Sequence, residues 1–180
     1  MKRSLVIAAT AAVLIVAGRL AAQEVGEYAL KAAFLYNFAK YVEWPQAAFG
    51  AADDPIVICS IGADPIEGGG FSFGKKTISG RRIWYRHLGR TYDVTSCHVV
   101  FVEHSADHLW VGIESALHDR PVLTVGETDD FIRRGGVIGF GLEDQKLRFE
   151  INDAAARRTG LKISSQLLKL ARRVIPNEGA

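Results

Sequence analysis

The sequence predicts an α/β fold: a single-domain, three-layer α/β/α sandwich whose mainly parallel sheet carries a C-terminal antiparallel hairpin and terminal helices. Three observations lead to this prediction. Apolar segments typical of strands alternate with amphipathic segments typical of helices, as in parallel sheets with crossover connections. Residues 55–61 are almost continuously apolar, as expected for a central strand that is covered on both faces. Residues 137–151 instead contain the two-residue alternation of a hairpin.

Residues 1–22 have the features of a secretory signal peptide. Lys2 and Arg3 supply the positive start, an uncharged apolar run follows, and Ala22 is the small residue expected before a cleavage site. An uncleaved N-terminal anchor is the alternative, although the apolar run is shorter than the ~20 residues that a spanning helix needs. We therefore expect export to the periplasm, a mature chain that begins near Gln23, and no membrane insertion after cleavage.

The charge balance argues against a nucleic-acid partner. The chain has 22 basic and 20 acidic residues, and residues 1–22 contain three of the basic ones and no acidic one, which leaves a net charge of −1 after cleavage. Nucleic-acid binding depends on clustered Lys and Arg that neutralise phosphates, and no basic run is present. The remaining chain, residues 23–180, has the usual length of one domain with its own core.

The first predicted helix covers residues 24–42. Pro45 prevents its continuation past Trp44 because proline lacks the backbone N–H and clashes with the preceding turn. An aromatic stripe at helical spacing is typical of a core-facing surface, although a ligand site is the alternative. The predicted buried face comprises Leu30, Ala33, Phe34, Asn37, Phe38 and Tyr41.

The middle of the chain alternates between predicted strands and helices. After the strand at 55–61, apolar and β-branched segments predict further strands at 81–88, 98–102 and 121–125, with a helix from about 105 to 118 between the last two. A short helix around 129–134 is expected to end at Gly135 and Gly136.

The C-terminal segment combines a hairpin with two predicted helices. Strands at 137–142 and 146–151 form the hairpin, and the alternation places Phe149 on the core face and Arg148 and Glu150 on the other face. Asn152 or Asp153 can cap a first helix that ends at Gly160. The second helix is predicted from an apolar stripe formed by Ile163, Leu167, Leu170, Ala171 and Val174.

Several of these segments resemble a known family. They are GGVIGF from Gly135, RFEIN from Arg148, AAAR from Ala154, LKISSQLLKLAR from Leu161, KAAFLYNFAK from Lys31 and CHVVF from Cys97. Together they resemble the YfiR-like family of periplasmic regulators over nearly the whole chain after residue 22. In relatives residues 66–80 usually form a longer helix, whereas the glycine-rich sequence here predicts a loop or a single turn.

The resemblance implies a function. It implies a periplasmic protein that binds the periplasmic sensor domain of a membrane-bound diguanylate cyclase and represses the cyclase, so that cyclic-di-GMP signalling falls. The sequence leaves open whether the protein acts as a monomer or as a homodimer. A periplasmic small-molecule binding module is the second hypothesis, with a cleft at the carboxyl ends of the strands near Gly62 and Gly126.

Two cysteines are expected to form a disulfide. Cys59 lies in the strand at 55–61 and Cys97 at the start of the strand at 98–102. An exported protein experiences oxidising conditions, and strands separated by one crossover can be neighbours in a doubly wound sheet. Two buried free thiols are the alternative, because cysteine is often buried without a disulfide.

The motifs of enzymes and cofactor-binding proteins are absent from the sequence. Neither G-x-G-x-x-G nor the P-loop pattern occurs, so we expect no nucleotide cofactor, and without G-x-S-x-G we expect no catalytic serine. His104 and His108 have the spacing of two zinc ligands on a helix, but nothing nearby completes a four-ligand set. We therefore predict no enzyme and no metal site.

The partner-binding surface is predicted on the outward row of the second hairpin strand. Arg148, Glu150 and Asn152 should point away from the core, and an arginine beside a carboxylate can make directional contacts to a partner. Phe140, which lies between two glycines, is expected to stand out from a bare backbone. The alternative is a solvated edge that discourages strand-to-strand aggregation.

Overall fold

The computed structural model describes residues 26–63, 66, 71–89, 93–144 and 146–176. The signal peptide predicted at residues 1–22 lies outside these ranges. The chain divides into two compact units, Met1–Phe34 with Pro65–Phe71, and Leu35–Asp64 with Ser72–Ala180. No helix within the described ranges is long and apolar enough to cross a membrane.

In the smaller unit, the structure describes residues 26–34, 66 and 71. Residues 26–34 are helical, and Lys31 contacts two other side chains of this helix. The Lys31 ammonium lies 2.6 Å from a carboxylate oxygen of Glu27, one turn earlier, and 4.2 Å from the centre of the Tyr28 ring. An ion pair at this spacing supports the helix directly.

The described part of the larger unit contains a sheet and short helices. Helix α1 covers residues 26–40 and so enters this unit at Leu35. The later helices are α2 (Trp110–Ala116), α3 (Asp153–Arg158) and α4 (Ser165–Leu170), with 3₁₀ turns at Gln46–Ala48, Val94–Ser96 and His104–Leu109. The strands are β1 (Val42–Glu43), β2 (Ile56–Ile61), β3 (Thr77–Ile78), β4 (Arg81–Leu88), β5 (Val99–Val102), β6 (Leu123–Gly126), β7 (Ile138–Glu143), β8 (Lys146–Asn152), β9 (Lys162–Ile163) and β10 (Arg173–Ile175).

The sheet confirms the predicted mainly parallel α/β fold. Among the described residues its strand order is β10-β8-β7-β6-β5-β2-β4-β3, and β1 pairs separately with β9. Strands β4, β2, β5, β6 and β7 are parallel neighbours, whereas β8 runs antiparallel to β7 as the predicted hairpin. The chain therefore reverses its direction across the sheet after β4, as in doubly wound folds.

Apolar side chains cover both faces of the sheet. Strand β2 is buried along its whole length, which explains its continuous apolar sequence. Cys59 and Val100 share one face with Trp110 of α2 and Phe131. On the opposite face the Phe38 ring of α1 packs 5.6 Å from that of Phe140 and 5.0 Å from that of Phe149, between ring centres.

The structure joins Cys59 and Cys97 in a disulfide, as predicted. Their Cα atoms are 6.0 Å apart, and 38 positions separate them in sequence. The bond follows from the topology, because β2 and β5 are neighbours and Cys97 lies just before β5. Both cysteines are buried, so the bridge closes this loop inside the core.

The buried face of α1 differs from the predicted one. Leu30 is 47% exposed and Asn37 is also exposed, whereas Leu35 and Ala39 are fully buried. Phe38 is buried as predicted. Within the larger unit the contacts of Phe38 with the two hairpin phenylalanines fix the rotation of the helix, and helical spacing alone did not reveal this rotation.

The helix predicted around 129–134 is wrong, and the helix predicted between Ile163 and Val174 is shorter than expected. Residues 129–134 form successive turns that pack the Phe131 ring against Gly126 and Gly136, where any Cβ atom would overlap it. The helix predicted from the stripe between Ile163 and Val174 shortens to α4. Ser164 caps α4, the chain becomes extended at Ala171, and β10 then pairs with β8.

We expect loss of the disulfide to lower the free energy of unfolding by about 4 kcal/mol, because a 38-residue loop is no longer closed in the unfolded chain. Denaturant unfolding of the Cys59→Ala, Cys97→Ala double variant measures this loss. Reductant should lower the wild-type midpoint and leave that of the variant unchanged. Equal midpoints for the oxidised wild type and the variant would contradict the stabilising role.

Candidate functional site

The candidate site lies on the β7–β8 hairpin, where the sequence predicts partner-binding residues. Glu143 pairs with Lys146 at its closed end, and Gly139 pairs with Glu150 further in. Phe149 and Ile151 are buried on the face towards Phe38. By alternation Arg148 and Glu150 point to the other face, as the sequence predicts.

Glu150 is nevertheless buried, with only 7% of its surface exposed. Arg172 donates from Nε, at 3.1 Å, and from Nη2 to Oε1 of Glu150. Arg173 donates from Nε and Nη2 to the other oxygen, Oε2, at 3.1 and 2.5 Å. We call these three residues the Glu150 clamp. The clamp fixes the short strand β10 against β8, because Arg173 lies directly opposite Glu150 in the ladder.

The hydrogen bonds of the clamp determine the charge state of Glu150. Burial alone would raise the pKa of the carboxyl group, but the hydrogen bonds and positive charges of Arg172 and Arg173 together outweigh it and hold the pKa below its usual value of 4.5. The same interaction raises the pKa of Arg172. The clamp is therefore an ionised cluster at neutral pH, in which one buried carboxylate is shared by two guanidinium groups.

The predicted exposure of Phe140 is wrong. Only 3% of its surface is exposed, and its ring packs against Phe38 and, with ring centres 6.2 Å apart, against Phe101. The flanking glycines suggested a ring standing on bare backbone, but they lie on the opposite face of β7. Gly139 lies against Ile132 there, and a Cβ on Gly141 would meet open space.

Asn152 is also buried, with 8% of its surface exposed, and both ends of its amide group are in use. Its Oδ1 accepts a hydrogen bond from the backbone N–H of Ala155 at 2.9 Å, which caps α3 as predicted. Its Nδ2 donates to the backbone carbonyl of Ile132 at 2.8 Å. Asn152 therefore fastens the end of the hairpin to the turns around Phe131.

Arg148 remains accessible at the end of the hairpin. Half of its side chain is exposed, and its Nε lies 3.7 Å from an Oε2 of Glu143, which is too long for a hydrogen bond. The other carboxylate oxygen of Glu143 is 3.9 Å from Nη1 of Arg172. We define the hairpin-end surface as Glu143, Arg148, Arg172 and Arg173, four charged side chains that are each about half exposed.

Sequence reasoning missed Arg172 and Arg173, which it placed on the polar side of a helix. The signal that could have revealed them is Glu150, because a carboxylate on a short strand beside buried residues needs cationic partners. Those partners are 22 and 23 positions further along the chain, beyond the reach of a local pattern.

A cleft of about 740 Å³ lies at the carboxyl ends of β2 and β4, where the small-molecule hypothesis expected one. Beside it, buried Glu103 accepts a hydrogen bond from the backbone N–H of Ala63 at 2.6 Å. Gly126 does not line this cleft, since it packs against Phe131. The described lining residues include Gly62, Ala63, His87, Leu88, His108 and Leu109.

The two histidines considered as zinc ligands do not share a face. His104 and His108 are both exposed and lie in a 3₁₀ turn, where four positions correspond to a rotation of about 120°. Within the described ranges no group of three or more His, Cys, Asp or Glu side chains is arranged to hold a metal ion.

A family model described as YfiR/HmsC-like matches residues 28–172. The matched stretch contains the disulfide, the whole hairpin and the first arginine of the Glu150 clamp, and it agrees with the family to which the sequence motifs pointed. A search of curated proteins gave no match.

We expect the Glu150→Gln variant to be less stable than the wild type at pH 7 by about 1 kcal/mol, a value discounted because both arginines are half exposed. A lowered pKa in the folded state stabilises the protein fully above the unfolded value near 4.5 and less as pH falls through the folded value. The difference between variant and wild type should therefore be constant from pH 6 to 8 and shrink below about pH 4.5. Thermal unfolding across this range tests the clamp, and a difference that persists unchanged at pH 3 would contradict it.

Proposed function

The chain belongs to the YfiR/HmsC-like family, and on this premise we propose that it is a periplasmic regulatory protein that represses a membrane-anchored diguanylate cyclase. It binds the periplasmic sensor domain of the cyclase and so lowers cyclic-di-GMP signalling and the biofilm formation that this signal promotes. The observation that carries the proposal is the family match over residues 28–172.

Two further features support action in the periplasm. The sequence of residues 1–22 has the charged, apolar and small-residue parts of a signal peptide. The buried disulfide between Cys59 and Cys97 is typical of proteins that fold in an oxidising compartment. We therefore propose that the folded protein is exported and that it meets the cyclase outside the inner membrane.

We propose the hairpin-end surface as the contact with the cyclase. Arg148 contributes a half-exposed guanidinium whose partner, Glu143, is beyond hydrogen-bond distance, so it can bind a carboxylate of the cyclase without breaking a strong bond. Glu150 acts indirectly, because it holds Arg172 and Arg173 in place. Phe140 and Asn152 support the same surface from within the fold.

A periplasmic small-molecule binding module is the second candidate function. The observation that favours it is the cleft of about 740 Å³ at the carboxyl ends of β2 and β4. The chain crosses from β4 to β5 at this point, and ligands of open α/β sheets bind at such topological switch points. In this role the protein would need no cyclase partner.

We expect deletion of the gene to raise cyclic-di-GMP in the native host, because a cyclase would lose its repressor. Quantifying cyclic-di-GMP in extracts, with and without a plasmid copy of the full chain, measures the effect. A version whose residues 1–22 are removed should fail to complement, because it stays inside the inner membrane. Unchanged cyclic-di-GMP after deletion would favour the small-molecule module.

We expect Arg148→Glu to weaken binding to the cyclase at least tenfold, because a charge reversal places two carboxylates in contact. Capture of detergent-solubilised cyclase on the immobilised protein measures the affinity. Arg82→Glu is the matched control, since Arg82 is also exposed but lies on β4, towards the opposite edge of the sheet from the hairpin. Equal affinities for the two variants would show that the cyclase does not contact the hairpin-end surface at Arg148.

Glu150→Lys should act differently from Arg148→Glu. A lysine beside Arg172 and Arg173 replaces attraction with repulsion, so we expect a loss of about 2 kcal/mol in stability as well as weaker binding of the cyclase. Thermal unfolding separates the two effects. A melting temperature equal to that of the wild type would show that the clamp does not stabilise β10.

A further inference from the structure

A polar cleft of about 340 Å³ lies beside the Glu150 clamp, on the same side of the hairpin as Glu150. Gly139 and Gly141 form its floor. Because a Cβ atom on Gly141 would meet nothing within 4 Å, the floor at this position is bare backbone below open space. Asp129 and Arg133 line the cleft, and so do the two arginines of the clamp.

Three guanidinium groups present donors to this cleft. Arg172 and Arg173 use Nε and Nη2 for Glu150, which leaves Nη1 of each outside the clamp. Nη1 of Arg172 is 3.9 Å from the nearest oxygen of Glu143, beyond hydrogen-bond distance. Arg133 is exposed and forms no ion pair with any residue that the structure describes.

The buried carboxylate of Glu150 distinguishes this cleft from an ordinary group of surface arginines, because it orders two of them. Exposed arginines are mobile, and a ligand that fixes them loses affinity through their conformational entropy. Here Glu150, whose side chain is only 10% exposed, already fixes Arg172 and Arg173, which remain 43% and 46% exposed. The clamp thus holds two guanidinium groups in place, and Nη1 of each can donate to a planar or tetrahedral oxyanion.

The remaining lining restricts which anions fit. Asp129 faces the arginines and would repel a second negative group, but it can accept a hydrogen bond from a ligand hydroxyl. The volume is near the lower limit for small-molecule pockets. The site therefore suits a compact molecule with its negative charge at one end.

We propose that this cleft binds a small oxyanion, a carboxylate or phosphate group whose oxygens bridge Arg133 and the outward Nη1 groups of the clamp. A bound oxyanion and Glu150 contact different donors of the same guanidinium groups. Binding of the oxyanion is therefore coupled to the position of β10 and of the hairpin-end surface. The site itself requires no cyclase, so its test is independent of the proposed repressor function.

The experiment titrates the purified protein with inorganic phosphate and, separately, with lactate, which carries one carboxylate and one hydroxyl group. Sodium chloride keeps the ionic strength constant. Backbone amide NMR shifts report where each anion binds. We expect saturable shifts confined to residues 128–141 and 172–173, with either anion. Saturable shifts with only one of the two anions identify the oxyanion that the site binds. Saturable shifts in both titrations show that phosphate and carboxylate groups share the site.

Two variants and one control make the assignment specific. Arg133→Gln removes a guanidinium that forms no ion pair with any residue that the structure describes, and Gly141→Val fills the floor without changing the charge. We expect each to weaken binding at least fivefold. Arg82→Gln, a change at another exposed arginine, on β4, should leave binding as in the wild type. Gly141→Ala replaces Gly141→Val if the larger side chain perturbs the spectrum of the free protein.

Three results would overturn the proposal. The first is that the shifts do not saturate with either anion, even at an anion concentration about ten times a millimolar dissociation constant. The second is that saturable shifts appear at residues outside the cleft. The third is that the Arg133→Gln and Arg82→Gln variants bind the anion with equal affinity. The last result would show that the anions act by general ionic screening and do not bind at the cleft.

Discussion

The C-terminal third of the structure depends on the burial of one carboxylate, Glu150. An unpaired buried carboxylate costs several kcal/mol, so the fold must bring positive charge to it. Arg173 meets this need by lying opposite Glu150 in a strand, and Arg172 adds a backbone hydrogen bond of 2.9 Å to the carbonyl of Phe149. The chain after α4 therefore ends its helix and becomes the edge strand β10, although its apolar spacing also fits a continuing helix.

The central sheet could be predicted from the sequence because its signals are local. The continuous apolar run of β2 indicates a strand buried on both faces, and the alternation in β8 assigned the direction of Arg148 and Glu150 correctly. The disulfide followed from the expected adjacency of two parallel strands. The two strand predictions each depend on one segment of the chain, and the disulfide adds only the adjacency of two such segments.

The candidate site was less predictable because its contacts are not local. The alternation of β8 alone predicts that Glu150 is exposed. Its arginine partners come from a segment whose apolar spacing predicts a helix. Phe140 looks exposed for a related reason. Glycines on both sides of a strand residue reveal nothing about its own face, and here they leave room on the opposite face for Ile132 and for the cleft.

The turns around Phe131 connect the core to this cleft. Gly126 and Gly136 enclose the Phe131 ring so closely that neither can carry a side chain, and the Phe131 ring packs 4.4 Å from that of Trp110, between ring centres. These contacts fix the segment that also contains Asp129 and Arg133, while the clamp fixes the wall formed by Arg172 and Arg173. A change in the clamp thus alters this wall of the cleft and leaves the segment around Phe131 in place. Since Arg172 and Arg173 belong both to this wall and to the hairpin-end surface, whatever binds the cleft also acts on the surface that we propose for the cyclase.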